Sequence, residues 1–264
     1  MERRKPRSNR EDIYTRTDRS EESQNRPSNR SSAKGGKGIG TENERSLHAA
    51  LKRWYARSGD ELEAKVDGYI IDIRRGRELI EVQTANFTAI AKKLRELLKK
   101  YCVRLVYPVA EEKWIIRITE SGEFIKRRKS PKKGKPFHLF SELIRIPDLL
   151  NEDNLTIEIL LIKEEEIWCE DGRGSWRRKG VTVQDRKLLE VTGCIELKKS
   201  SDLLRFLPPG IAEPFSNKDL ALRMGEPIRD VRKFTYCLRK SGLIKIVGKQ
   251  GNELLFAAVD EVAG

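Results

Sequence analysis

The chain has 264 residues, with 54 Lys or Arg against 41 Asp or Glu and a formal net charge of +13. A hydrophobic share of 38% supports real cores, and no run of about 18 uncharged apolar residues exists, which excludes a membrane-spanning helix and leaves no membrane partner expected. Four widely spaced cysteines and two histidines offer no zinc spacing, which favours a reduced, cytoplasmic setting, and the positive balance points to a polyanion, nucleic acid first.

Residues 1–38 carry almost no large apolar side chains and read as a disordered basic arm, with no secretory signal expected. Order is expected from about residue 39. Thr41 and Glu44 make a capping-box pattern, and Leu47, His48, Leu51, Trp54 and Tyr55 repeat at helical spacing as far as Ser58-Gly59. Strand-like runs follow at Glu61 to Val66, Gly68 to Arg74 and Glu78 to Thr84, with Arg75-Gly76-Arg77 as the turn between the last two. From Asn86 a helix is predicted, with Phe87, Ile90, Ala91, Leu94, Leu97 and Leu98 on one face and Lys92 and Lys93 on the other. Cys102 to Pro108 reads as a buried strand ended by proline. Residues 111–200 read as a mixed α/β extension of no derivable role. Within it lie a strand at Trp114 to Ile118, a loop from Lys126 to Lys135 with seven basic residues and no acid, mixed helix and turn signals over Phe140 to Leu150, and a strand from Leu155 to Trp168 ending in acids. A second basic loop, Gly172 to Gly180, contains Trp176, read as a loop anchor in preference to a stacking platform. Over 201–264, Ser201-Asp202 caps a short helix that Pro208-Pro209-Gly210 breaks. Ser216 caps a second helix, Gly225 makes a tight turn, Pro227 opens a third, and a hairpin closes the chain around Gly248 to Asn252. This order resembles the winged helix-turn-helix module.

The chemistry concentrates in Gly68 to Thr84. Strand alternation puts Glu81 and Gln83 on one face while Ile80 and Val82 point into a core, and folding the hairpin sets Asp72 beside position 80 or 81. Carboxylates gathered this closely repel unless a cation or a raised pKa relieves them, and hard oxygen donors suit Mg²⁺ or Mn²⁺. Glu44 falls on the apolar stripe of its helix, where a charge needs a partner.

The helix-strand-strand-strand-helix-strand order, helical Glu44, Gly68-x-x-x-Asp72 and Glu81-Val82-Gln83 resemble the PD-(D/E)XK nuclease superfamily, of restriction-endonuclease-like fold, over about residues 40 to 109. The resemblance implies an α/β (α+β) nuclease-like core of αβββαβ order over 39–110. It further implies metal held by Asp72 and Glu81 with Glu44 as an accessory ligand, and Gln83 positioning the attacking water. The motif's third position is normally lysine. Glutamine stands there in some members, and it orients a water without supplying positive charge. A second Glu-x-Lys, Glu196 to Lys198 with Asp185 upstream, ranks lower, and His48 reads as a satisfied core histidine before a base.

Together these features point to a metal-dependent DNA endonuclease placed on duplex or branched DNA by a C-terminal winged helix. Arg229, Arg232, Lys233, Arg239 and Lys249 would contact DNA, and Lys92 or Lys93 would touch backbone phosphates. RNA is a second substrate to test, and a homodimer is left open. The rival is a non-catalytic DNA-binding regulator on a degenerate nuclease-like scaffold, with Gln83 the mark of lost activity.

Overall fold

The computed structural model describes residues 46–259. Thr41, Glu44 and the N-terminal arm lie outside the described residues. Helix α1 (Ser46–Tyr55) buries Leu47, Leu51 and Tyr55, three positions one turn apart. Its first described turn is held by Asp185, which accepts from Ser46 N at 3.1 Å and from Ser46 Oγ at 2.5 Å. Strands β1 (Glu61–Val66), β2 (Tyr69–Arg75) and β3 (Glu78–Val82) then run antiparallel in sequence order. Helix α2 (Phe87–Leu97) is the crossover that lets β4 (Cys102–Thr119) lie parallel to β3. Asn86, in the left-handed region at φ 61°, gives α2 no side-chain cap, and Glu142 supplies one, its Oε2 accepting from Phe87 N at 3.0 Å.

Strand β4 does not stop at Pro108 but continues through residues read as a separate strand. The reason is local. β3 pairs with residues 102–106 of one β4 edge and β5 (Phe124–Lys129) with residues 114–118 of the same edge. Val106 O accepts from Gln83 N on that edge, so by alternation Pro108 turns its missing N–H toward the gap between β3 and β5, where no ladder bond is lost. The other edge of β4 pairs in parallel with β6 (Leu155–Glu170), which pairs antiparallel with β7 (Thr182–Leu197). The sheet order is β1-β2-β3-β4-β6-β7, with β5 on β4. The boundary expected at residue 110 therefore falls inside a strand. Lys126 to Lys129, expected in a loop, are an edge strand whose ladder bonds come from β4 and whose charges blunt the edge.

Helix α1 packs on one face of the sheet against Ile73, Ile80, Val106 and Leu160. The other face carries α2, the short helix α3 (Phe140–Leu143) and single helical turns at Pro136–Leu139 and Pro147–Leu149. These turns dock the C-terminal unit: β8 (Phe215–Ser216), α4 (Asn217–Met224), α5 (Ile228–Lys240), β9 (Ile244–Gln250) and β10 (Glu253–Ala258), with strand order β8-β10-β9. Ser216 Oγ accepts from Lys218 N and Asp219 N at the start of α4, and Gly225, at φ 64°, makes the left-handed turn that ends it. Phe137, Phe140, Phe206 and Phe234 form one ring cluster, Phe137 edge to face on Phe234 and Phe140 on Phe206, with Phe140 and Phe234 centroids 4.6 Å apart, so one apolar core runs through residues 111–200 into the C-terminal unit. The extension, whose role the sequence leaves unknown, is thus the mount for that unit.

Candidate functional site

The β2–β3 ladder ends at Ile73↔Ile80. One residue further on, Asp72 inserts its carboxylate where the next ladder bond would fall: Oδ2 accepts from Val82 N at 2.9 Å. Glu81 answers from the partner strand, its Oε1 lying 3.3 Å from Asp72 N. The two carboxylates are therefore brought together where β2 and β3 splay, as alternation and the short turn predict. His48, on α1, sets Nε2 3.2 Å from Asp72 Oδ2 and 3.0 Å from Val82 O. Two acceptors around one nitrogen call for the tautomer with the proton on Nε2. Lys93, on α2, reaches across the sheet to Glu81 Oε1 at 2.5 Å and Ile70 O at 2.5 Å. Sequence reading sent Lys93 to backbone phosphates, whereas it is the cation against the buried glutamate. Its spacing on α2 was visible, but the phase of α2 over β3 was not.

Gln83 is elsewhere. Its Nε2 donates to Ala85 O and also lies 3.4 Å from Asn86 O, which ties the amide to the turn before α2. Glu44 lies outside the described residues. Lys92 is exposed on α2. The second Glu-x-Lys does not assemble: Asp185 holds the start of α1, while Glu196, eleven positions along β7, pairs with Arg104 and Lys198. Among the described residues no group of three or more His, Cys, Asp and Glu side chains is arranged to hold a metal ion. The Asp72–Glu81 pair still suits Mg²⁺, which keeps several waters and takes one or two protein carboxylates alongside substrate phosphates.

The electrostatics separate the two acids. Burial and the neighbouring Asp72 charge push the Glu81 carboxyl above the ordinary range, only partly offset by Lys93. Burial also pushes Asp72 upward, but hydrogen bonds from His48 and Val82 N–H outweigh it and hold its pKa below the ordinary value. The linkage signs are therefore opposite. The stabilising share of Glu81 is full below its unfolded pKa and is lost as pH rises through its raised folded value. That of Asp72 is full above its unfolded pKa and is lost as pH falls through its lowered one. A carbon-detected NMR titration is expected to show Glu81 titrating last and Asp72 first, and Asp72→Asn to draw the Glu81 midpoint down. Coincident, ordinary midpoints would show that the pair is not coupled.

Past the end of β3 opens a cleft of about 280 Å³ along the unpaired stretch of β4. Leu47 and Thr84, neighbours of His48 and Gln83, line it together with Lys132, Lys133 and His138. Gly134 closes its floor, with Gly134 N donating to Ala110 O at 2.6 Å, and a Cβ there would stand 2.7 Å from that oxygen. A second concavity, of about 350 Å³, lies between α5 and the β9–β10 hairpin and is lined by Arg232, Tyr236, Arg239 and Asn252. Arg229 and Lys249 are exposed. Lys233 is half-buried, bonding Asp230 at 2.8 Å and Ser141 Oγ on α3 at 2.9 Å, which makes it a tether between the units.

These features define a mixed α/β protein with a paired-carboxylate site at a sheet splay and a basic helical unit mounted behind it. By sequence, residues 45–198 match the model of a domain of unknown function, DUF8091, and the chain belongs to that family. It is 34% identical over 220 residues to an uncharacterized protein of Treponema pallidum (strain Nichols), covering 83% of this chain and 86% of that one. No solved structure matches. Among the described residues no helix is long and apolar enough to cross a membrane, and all four cysteines are free thiols.

Proposed function

We propose that the chain is a divalent-metal-dependent phosphodiester hydrolase of PD-(D/E)XK type, acting on DNA in the cytoplasm and delivered to it by a C-terminal winged helix. The observation that carries this reading is the placing of two acids at the end of a splayed hairpin, the Asp72 carboxylate held by Val82 N and His48 and the Glu81 carboxylate reaching Asp72 N and paired with the Lys93 ammonium. Asp72 and Glu81 would hold Mg²⁺ or Mn²⁺, which when bound lowers the pKa of a water and offsets charge on the scissile phosphate. Val82 N–H and His48 fix the direction of Asp72, so the donor pair is preorganised. Lys93 supplies the positive charge that Gln83 lacks, a short reach from where a phosphate oxygen would lie. On the C-terminal unit, exposed Arg229, Arg232, Arg239 and Lys249 supply phosphate contacts.

A plasmid-nicking assay with Mg²⁺ or Mn²⁺, run on single-stranded, duplex and branched DNA and repeated with RNA, tests the proposal. Absence of cleavage on every substrate would overturn it. Within an active protein, Lys93→Met is expected to lower the rate by on the order of 10²-fold. Gln83→Ala is expected to lower it less than about tenfold, because that amide is spent on the turn. The reverse ranking would return the motif's third position to Gln83. The second reading, a DNA-binding regulator on a degenerate scaffold, is favoured by one observation: Lys93 pairs with Glu81 at 2.5 Å, so one of the two acids has a cation of the chain's own. It predicts nucleic-acid binding indifferent to EDTA and no nicking.

A further inference from the structure

Past the cleft, β4, β5, β6 and β7 run on as an arm whose two hairpins end together: Ile118 pairs with Phe124, Thr119 with Glu170, and Cys169 with Thr182. Arg173, on one tip, lies 3.8 Å from Glu120 on the other. Residues 171–181 are a strapped loop and not a loose one. Thr182 Oγ1 donates to Asp171 Oδ2 at 2.8 Å, Arg173 N to Asp171 Oδ1 at 3.0 Å and Gly174 N to Gly180 O at 3.0 Å. A Cβ on Gly174 would collide with Val181 O at 2.0 Å. On this frame a single helical turn, Trp176–Arg178, presents Trp176 with 83% of its surface in water. Expected as an anchor, the indole anchors nothing. The Arg177 guanidinium lies 5.5 Å from its ring centroid, and Arg173 and Lys179 belong to the same loop.

An exposed indole among guanidinium and ammonium groups is the chemistry of a base-stacking platform: the ring takes any base face and the cations take the flanking phosphates. A membrane anchor would pair its aromatic with apolar neighbours on the same loop, and here those neighbours are Arg and Lys. The arm also leads back to the cleft. Lys126 and Arg128 sit exposed on β5, two positions apart on one face, and Lys132 and Lys133 follow at the cleft. From Glu164, at the cleft, to Glu170, at the tip, β6 covers about 20 Å, roughly the length of six stacked nucleotides.

We infer that the arm binds single-stranded nucleic acid, Trp176 stacking on an unpaired base about six nucleotides from the cleft. This rests on the hydrolase reading for its direction but is tested without cleavage. The experiment measures anisotropy of labelled (dT)12, (dT)4 and a 12-base-pair duplex titrated with the full chain in EDTA, with co-sedimentation on 3:1 phosphatidylcholine–phosphatidylglycerol vesicles as the lipid arm. The expected result is preference for (dT)12 over (dT)4. Trp176→Ala should weaken (dT)12 binding by about 5- to 150-fold, Trp176→Phe should keep most of it, and duplex affinity should not change. Because the side chain is exposed, both variants are expected to melt with the wild type. No (dT)12 binding, equal binding by Trp176→Ala, or vesicle binding that Trp176→Ala abolishes while (dT)12 binding stands unchanged would each overturn the inference. Failure of nicking alone would overturn only the hydrolase reading.

Discussion

Asp72→Asn is expected to lower metal-dependent cleavage by on the order of 10³-fold while leaving the chain folded and its nucleic-acid affinity within about twofold. The geometry explains why asparagine is the informative change. Asp72 Oδ2 fills a ladder position by accepting from Val82 N, and an amide oxygen can accept the same bond, so the splay of β2 from β3 survives. What is lost is the charge. Glu81, paired with Lys93, is then the one carboxylate left where the proposed site has two. The stability balance is close because two effects oppose. The variant forfeits the contribution of an acid held below its ordinary pKa, and it relieves Glu81 of the like charge that raises its own. Steady-state nicking rates, melting temperature and anisotropy on one preparation check all three. Unchanged cleavage would show that the activity does not pass through Asp72, and melting far below wild type would show that the carboxylate is structural.

The part of this site that was legible in the sequence is the part that local geometry dictates. A period of two along β3 and a turn of two or three residues are enough to set Asp72 beside Glu81, because hairpin register leaves little freedom. The order from α1 to β4 followed for the same reason, each element carrying its own periodicity and punctuation. What was not legible depends on the packing of elements distant in the chain. Lys92 and Lys93 are equivalent in sequence, and only the rotation of α2 over the sheet makes Lys93 the partner of Glu81. The acids that close β6 read as the end of a strand, yet Glu164 and Glu166 are buried within it, taken up by Lys113 of β4. Cross-strand charge pairing of that kind has no one-dimensional signature. Trp176 misled in the opposite sense: a large aromatic in a loop is ordinarily a plug, and only the strapped frame that holds it outward says otherwise.

Arg104→Met is expected to cost about 3–5 kcal/mol of stability, a fall in melting temperature of about 6–20 °C. Arg104 sits on β4 beneath α1 and serves three carboxylates from three strands: Glu78 at 2.9 Å, Glu158 at 2.6 Å and Glu196 at 2.5 Å. Glu158 has no exposed surface, and its other hydrogen bond comes from the Tyr55 hydroxyl of α1. Burial first, and then the Glu158 charge, push the Tyr55 phenol far above its ordinary pKa, so it remains a donor across the accessible range. Glu158 and Glu196 stand directly opposite each other in the β6–β7 ladder. Once the guanidinium is removed, two like charges face each other in a dry layer with only a phenol between one of them and the α1 core. The pH dependence gives the sign. Burial raises the Glu196 carboxyl, but its bonds to Lys198 and Arg104 outweigh this and hold it low, so in the wild type its stabilising share persists until pH falls through that lowered value. In the variant Glu196 has lost that cation and takes up a proton more readily, so the deficit is expected to be largest near neutrality and to shrink toward pH 5. Adding Glu158→Gln keeps an acceptor for Tyr55 while removing the buried charge, and is expected to restore part of the loss, a coupling of about 1–3 kcal/mol. Melting curves of the wild type, both single variants and the double variant at pH 7.5 and pH 5 measure it. Additive losses, or a deficit that grows on acidification, would mean that Arg104 acts through packing of its stem and not as the counter-ion of Glu158.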